Sequence, residues 1–264
     1  MPKIAIRELR KSFGPKLVLD GTNLDIEAGE SLVVIGGSGT GKSVMLKHII
    51  GLLKPDSGTV EVDGVAVEKL GNREITDFRR KFGMSFQEGA LFDSMTIWQN
   101  VAFPLQRLTK MSRAEIDDRV KECLALVRLE GVEEKLPSQL SGGMRRRVGF
   151  ARAISHRPEI LLFDEPTTGL DPVTTALIGE VIVDLNDRLK ATTVTITHDM
   201  ESAFRIGDRI AMIHKGQIVA EAPPAEFRNL TDPRVQQFIH GRAEGPLSDE
   251  PTPQIPGPPK TPGR

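Results

Sequence analysis

An α/β fold with a buried, largely parallel sheet follows from three features of this 264-residue sequence. Strand-like and helix-like segments alternate from residue 3 to about 240. Three short apolar runs, SLVVIG (31–36), EILLFDE (159–165) and TTVTITHD (192–199), end in polar or glycine-rich turns. The apolar fraction, 39%, is enough for a sizeable core. Ligands of such sheets bind at the carboxyl ends of the strands, where these turns lie.

The first run opens onto GGSGTGKS (36–43), which fits G-x-x-x-x-G-K-[ST] and precedes the helical run VMLKHIIGLL. Its glycines let successive backbone N–H groups face one anion, and the helix amino terminus adds its dipole. Lys42 would then reach the β and γ phosphates and Ser43 would ligate Mg²⁺. A glycine turn that binds nothing is disfavoured, because strand, loop and helix fall where the motif requires them.

Residues 110–136 carry Ile116, Val120, Cys123, Leu124 and Val127 at helical spacing, which predicts a helical subdomain, roughly 88–157, inserted into the core. Within it LSGGM (140–144) starts another helix, with Met144, Val148 and Ala151 at i, i+4, i+7. Its glycines therefore sit at a helix amino terminus with N–H groups and dipole unpaired, a second anion site. Arg145, Arg146 and Arg147 read as a solvated helix face rather than a patch for nucleic acid or acidic lipid.

In ILLFDEP, Asp164 suits a Mg²⁺ shell and Glu165 suits orienting and deprotonating an attacking water. Alone, two carboxylates at a strand end are better read as a cap or surface ion pairs; beside a phosphate cradle the balance reverses. His198 ends the third run before Asp199 and is expected to meet the γ phosphate or the attacking water, whereas His48, His156, His214 and His240 read as structural or surface residues. RIAMIHKGQIVAEAPP predicts a strand pair turning at Lys215-Gly216, and AEFRNLTDPRVQQFIHG a short helix. The proline-dense end, EGPLSDEPTPQIPGPPKTPGR, is expected to stay extended or disordered.

In this order the motifs resemble the ATP-binding cassette family, the ATPase subunits of ABC transporters, over about residues 3–240. The resemblance implies a P-loop NTPase: an ABC-type nucleotide-binding domain over 1–240, with a RecA-like core, an antiparallel β subdomain and the inserted helical subdomain. Residues 241–264 would be an extension, disordered after about 247. It also implies ATP and Mg²⁺ as cofactors. Gly36, Gly37, Ser38, Gly39, Thr40, Gly41, Lys42, Ser43 and Val44 become the Walker A surroundings of the phosphates. Gln87 becomes the Q-loop residue, LSGGM the signature, ILLFDE Walker B, GLDP (169–172) with Asp171 the D-loop, and His198 the switch histidine. The implied catalytic set is Lys42, Gln87, Glu165 and His198, and the implied metal ligands are Ser43, Gln87 and Asp164. Phe13 takes the place where the family stacks an aromatic residue, usually tyrosine, on adenine; this chain has no tyrosine. In the family the signature, here Ser141, Gly142 and Gly143, binds the γ phosphate held by another copy, so two ATP molecules lie between two chains arranged head to tail. Met144 stands where glutamine is usual and alters only a secondary contact.

The segment FQEGALFDSMTIWQNVAFPL (86–105) offers Leu91, Phe92, Met95, Ile97, Trp98, Val101 and Phe103, partly core, with Trp98 and Phe92 expected to wall a groove for a membrane subunit's helix. The phrase Q-x-GALF-D-SMT-x-x-x-NVAFPL and the late DPRVQQFIHGRAEGP (232–246) resemble the Mla-type (MlaF-like) ATPases of Mce/Mla phospholipid transporters. That implies a homodimer on the cytoplasmic face of a bacterial inner membrane, energising permease subunits that pass phospholipid to or from a periplasmic Mce-domain protein. Some Mla systems add a small accessory protein. Residues 232–247 are expected to reach the neighbouring ATPase.

The runner-up is the ATPase of an importer for amino acids or another polar solute. A soluble ABC protein of DNA repair, translation or cluster assembly fits less well with one cassette and a short insertion. A cassette that binds ATP without hydrolysing it is disfavoured by Glu165 and His198. Lys plus Arg (35) and Asp plus Glu (36) nearly cancel, so no bulk field favours nucleic acid. A lone Cys123, a start without a secretory signal, and apolar runs well short of the roughly 20 residues of a membrane span predict a cytosolic chain whose membrane crossing is left to another subunit.

Overall fold

A computed structural model describes residues 1–86 and 89–248; Gln87, Glu88 and residues 249–264 lie outside the described residues. β1 (Ile4–Phe13) and β2 (Lys16–Ile26) pair antiparallel, and β1 then pairs with β4 (Ser57–Val62). Between them come β3 (Ser31–Ile35) and α1 (Lys42–Ile49). β5 (Val65–Ala66), α2 (Asn72–Arg79) and β6 (Phe82–Ser85) follow. The helical stretch is α3 (Ile97–Leu108), α4 (Arg113–Leu126) and α5 (Gly142–Ile154). The chain returns through β7 (Ile160–Asp164), α6 (Pro172–Leu189), β8 (Thr192–Thr197), α7 (Met200–Ile206), β9 (Arg209–His214) and β10 (Gln217–Ala222). It closes with α8 (Pro224–Phe227) and α9 (Pro233–His240).

Two sheets result. One is antiparallel, in the order β2-β1-β4-β5; the other runs β10-β9-β3-β8-β7-β6, parallel except for the edge strand β10. β3 shows why the larger sheet sits in the middle: Val33 and Ile35 face one apolar core, shared with α3 to α7, while Leu32 and Val34 face a second, shared with the antiparallel sheet and α1. A strand buried on both faces is mostly apolar, and SLVVI is so apart from its first residue. Ile35 pairs with Thr197 and Asp164 with Ile196, so β3, β8 and β7 end level and release their following residues at one edge.

α4 begins with a capping box, in which Ser112 Oγ accepts the Glu115 amide and Glu115 Oε2 accepts the Ser112 amide, and it buries Ile116, Val120, Cys123 and Leu124 as the spacing predicts. Burial pushes the Cys123 thiol up to about 12, which leaves it an inert core residue. The hairpin at Lys215-Gly216 is present, with both residues at positive φ (48° and 75°), the geometry of a two-residue I′ turn.

Three expectations need correction. Trp98 is no groove wall: it is 9% exposed, packed in the core and covered by the Arg113 guanidinium 3.6 Å from its ring. Phe92, its ring tilted against that of Phe103 with centroids 4.9 Å apart, stays 40% exposed, and Phe86 39%. The late helix is two helices, because Asp232 caps a fresh start: its carboxylate accepts the Arg234 amide at 2.8 Å and binds the Arg234 side chain, contacts that hold it down at about 2. Finally, the start of the expected disordered end folds back, with Gln237 bonding Arg242 O (3.1 Å), Ser248 Oγ (2.6 Å) and the Leu247 amide (2.7 Å).

Candidate nucleotide site

The loop after β3 must turn sharply and leave its amides bare. Gly41, the N-cap of α1, has φ 107°, and a Cβ there would lie 2.6 Å from Leu19 Cδ2 and 2.9 Å from Val18 O, so only glycine fits. No side chain caps α1 and no acidic residue stands in its first turn, which leaves its positive end for an anion. Thr40 Oγ1 closes the loop on Gly37 O at 2.9 Å. Lys42 is 7% exposed, and its ammonium donates to Gly36 O (2.6 Å) and Gly37 O (3.0 Å), 3.8 Å from Glu165 Oε1. Burial lowers its pKa, against the pull of Glu165 and Asp164.

The cleft over this loop, about 470 Å³, is lined by Ser38, Gly39, Gly41, Lys42, Ser43 and Val44 on one side and by Asp164, Glu165 and His198 on the other. Phe13, 47% exposed at the end of β1, stands at its mouth. Gly36, Gly37 and Thr40 shape the loop without lining the cleft. Ser43 Oγ donates to Asp164 Oδ1 at 3.2 Å, and burial raises the Asp164 pKa. A hydroxyl beside a desolvated carboxylate is a donor set suited to Mg²⁺, which takes one or two protein oxygens and completes its shell with phosphate and water. Among the described residues no group of three or more His, Cys, Asp or Glu side chains could hold a metal ion.

Glu165 lies in the left-handed region, φ 50°, a conformation costing a non-glycine residue about 1–2 kcal/mol. Its amide donates to Ile196 O (2.9 Å), and its Oε2 accepts both Thr168 Oγ1 and His198 Nδ1, each at 2.8 Å. A carboxylate oxygen only accepts, so Nδ1 of His198 carries the proton. Lys42, Ser43, Asp164, Glu165 and His198 thus converge. Thr168 lines the same cleft and escaped the sequence reading.

Ser141, Gly142, Gly143 and Asp171 do not line this cleft. Ser141 is the N-cap of α5, and its Oγ accepts the Met144 amide at 3.3 Å, so one donor expected to be unpaired is taken. Gly143 packs on Thr174 with no room for a Cβ, tying this turn to α6. Asp171 caps α6 through the Val173 and Thr174 amides, both at 3.0 Å; bonds to the Thr174 hydroxyl and to these amides hold its carboxyl below the ordinary range. Gln87 lies outside the described residues.

The three arginines after the signature glycines are not a solvated face. Arg145 donates to Leu140 O (2.6 Å), and Arg147 to Arg128 O (2.8 Å) and Val127 O (3.3 Å). Arg146 is 8% exposed and binds the carbonyls of Pro166 (2.6 Å), Glu165 (3.3 Å) and Thr168. Further along α5, Arg152 holds Gly89 O and Ala90 O at 2.8 Å each. None of these bonds was anticipated from the sequence, where the three arginines read as solvated.

A glycine phosphate loop after β3, an Asp-Glu pair at the end of β7 and a histidine just past β8, the strand between them, define a P-loop nucleotide-binding cassette. Comparison narrows the class: the model of the ABC transporter family matches residues 19–168, and the chain belongs to that family as its ATP-hydrolysing transport subunit. It is similar to the "Probable ribonucleotide transport ATP-binding protein mkl" of Mycobacterium leprae, 43% identical over 92% of this chain and 70% of that protein. It is also similar to the intermembrane phospholipid transport system ATP-binding protein MlaF of Haemophilus influenzae, 37% identical over 92% of both chains. A third relative is the methionine import ATP-binding protein MetN of Carboxydothermus hydrogenoformans, 42% identical over 88% of this chain and 69% of that protein. Among solved structures, a dimeric post-hydrolysis state of the cassette MJ0796 with ADP and Pi superposes with a TM-score of 0.77, at 35% identity, over 84% of this chain and 98% of that one. Among the described residues no helix is long and apolar enough to cross a membrane.

Proposed function

We propose that this chain is the ATPase of a phospholipid transporter of the Mla/Mce type, working as a homodimer beneath permease subunits on the cytoplasmic face of a bacterial inner membrane. The observation that carries the cargo is end-to-end similarity to MlaF, covering 92% of both chains. On this reading a periplasmic Mce-domain lipid-binding protein belongs to the complex, and a small accessory protein can dock on the helical subdomain. Residues 1–240 form the ATPase domain, with about 88–157 as that subdomain; 241–264 form an extension, of which the part up to 247, with α9, reaches the neighbouring ATPase.

In the proposed site ATP lies on the P-loop with adenine against Phe13. Lys42 moves from the Gly36 and Gly37 carbonyls to the β and γ phosphates. Ser43, Asp164 and Gln87 hold Mg²⁺, which neutralises phosphate charge when bound. Glu165 takes the proton of the attacking water, and His198, which shares the Glu165 oxygen at 2.8 Å, aligns water and γ phosphate. Ser141, Gly142 and Gly143, off the chain's own cleft, present α5 to the γ phosphate on a second copy, with the Asp171 turn beside them. One chain therefore carries half of each site. The dimeric state of the MJ0796 cassette supports this arrangement.

A second reading, an importer ATPase for amino acids or another solute, is favoured by the 42% identity to MetN. The test is to purify tagged Glu165→Gln protein from its own solubilised membranes with ATP and Mg²⁺ and identify what accompanies it by mass spectrometry. A polytopic permease, an Mce-domain protein and phospholipid are expected. A solute-binding importer overturns the cargo and leaves the ATPase standing.

A further inference from the structure

We infer that Arg146 is a positioning residue for hydrolysis, a buried link from the signature helix α5 to the turn that carries Glu165. The inference rests on reading Glu165 as the residue that activates water. Arg146 stands one helical turn after Gly143, on the same face of α5. Its guanidinium gathers three carbonyls of a single turn: Nη1 donates to Pro166 O (2.6 Å) and Glu165 O (3.3 Å), and Nη2 to Thr168 O. Five donors in a rigid plane suit several converging acceptors, which a lysine ammonium on its single stem cannot reproduce.

What the guanidinium holds is the strained part of the site. Glu165 keeps its φ of 50° between two fixed points, its amide on Ile196 O at 2.9 Å and its carbonyl on Arg146. Its carboxylate is aimed by Thr168 Oγ1 at 2.8 Å, and the carbonyl of that same Thr168 is also held by Arg146. Side chain and backbone of the base are thus both referred to one guanidinium. A left-handed glutamate persists only where its surroundings over-determine it.

The same helix begins with the glycine turn that faces a second copy's nucleotide on the reading above. Arg146 therefore joins, within one turn of α5, the group that senses the neighbouring γ phosphate and the base that acts on the chain's own. Seating of the signature and alignment of Glu165 become one event, and ATP binding, which uses the P-loop, does not need the link.

The test uses the full chain with Arg146→Lys and Arg146→Met, beside Glu165→Gln. ATP binding, steady-state ATPase, melting temperature and hydrogen exchange of the 165–170 amides are measured. Both arginine variants are expected to keep ATP affinity and KM within about twofold, to lose about tenfold or more in kcat, and to exchange the 165–170 amides faster, with Lys milder than Met. A folded variant that keeps kcat within about twofold overturns the inference, as does a parallel fall of kcat, ATP affinity and melting temperature, the mark of a general fold role. If Arg146→Met does not fold, the same criteria apply to Arg146→Lys. If Glu165→Gln hydrolyses ATP at the parent rate, the reading of the base has failed; if it stalls while Arg146→Lys is fully active, only the link is refuted.

Discussion

Replacing Asn100 by alanine tests what orders the segment proposed to meet the permease. Asn100 is fully buried in α3, and its side chain makes four hydrogen bonds to the loop before the helix. Its Oδ1 accepts the Phe92 amide at 2.8 Å; its Nδ2 donates to Phe92 O (3.1 Å), Met95 O (3.2 Å) and Thr96 O (3.0 Å). Two of these carbonyls keep another partner, since Phe92 O also takes the Met95 amide (3.0 Å) and Thr96 O the Asn100 amide (2.9 Å). The Phe92 amide and Met95 O are left without a described partner. Both groups are part-buried, so at about 1–3 kcal/mol per stranded group the loss is at most roughly 2–6 kcal/mol, with about 3 kcal/mol expected after local relaxation and partial solvation. For a chain of this size that lowers the melting temperature by about 6–12 °C. Trp98, the only tryptophan, sits in the same helix turn and reports the transition, so the assay is urea unfolding followed by its fluorescence. ATP affinity should hold, because no residue of this loop lines the cleft. Asn100→Asp should cost at least as much, placing an acceptor-only carboxylate against three carbonyls in a dry site. A midpoint shift worth less than about 0.5 kcal/mol refutes the reasoning.

Three further outcomes follow from the geometry. Phe13→Ala should raise KM for ATP by about three- to tenfold with kcat retained, since an exposed ring at the cleft mouth supplies binding alone; steady-state kinetics that show a kcat loss instead contradict adenine stacking. Thr168→Val removes the 2.8 Å hydroxyl bond to Glu165 and should lower kcat by about tenfold with KM unchanged; unaltered kcat means the carboxylate is aimed by other groups. Burial holds His48 and His156 below the ordinary value of 6.5, so each takes up a proton on unfolding: their stabilising effect is complete above pH 6.5 and is lost as pH falls below it toward the folded values. Urea stability should therefore drop between pH 7.5 and 5, less so in a His48→Gln/His156→Gln double variant, and equal slopes for both proteins contradict this assignment.

The core and the cleft were legible because their signals are local. Strands buried on both faces read as short runs of apolar and β-branched residues, and GGSGTGKS, Asp164-Glu165 and His198 sit directly at their ends. Arg146 was misread because three consecutive arginines look solvated, yet residues 143, 146 and 150 share a helix face, and Gly143 and Phe150 are buried; that spacing was a usable signal. Trp98 was similarly betrayed by its spacing to Ala102 and Leu105 along α3. The late break was written in Asp232-Pro233, a cap followed by a proline at the first helical position. Thr168 was not legible at all: its hydroxyl reaches Glu165 only because of the left-handed turn at that residue, which no periodicity encodes.

The central claim is that one chain holds half of each active site. The most direct test is sedimentation of Glu165→Gln protein with ATP and Mg²⁺, alone and combined with Ser141→Arg. Glu165→Gln protein is expected to form an ATP-dependent dimer that reverts to monomer when Ser141→Arg is added. A Glu165→Gln protein that binds ATP and stays monomeric, or a dimer indifferent to Ser141→Arg, would contradict it.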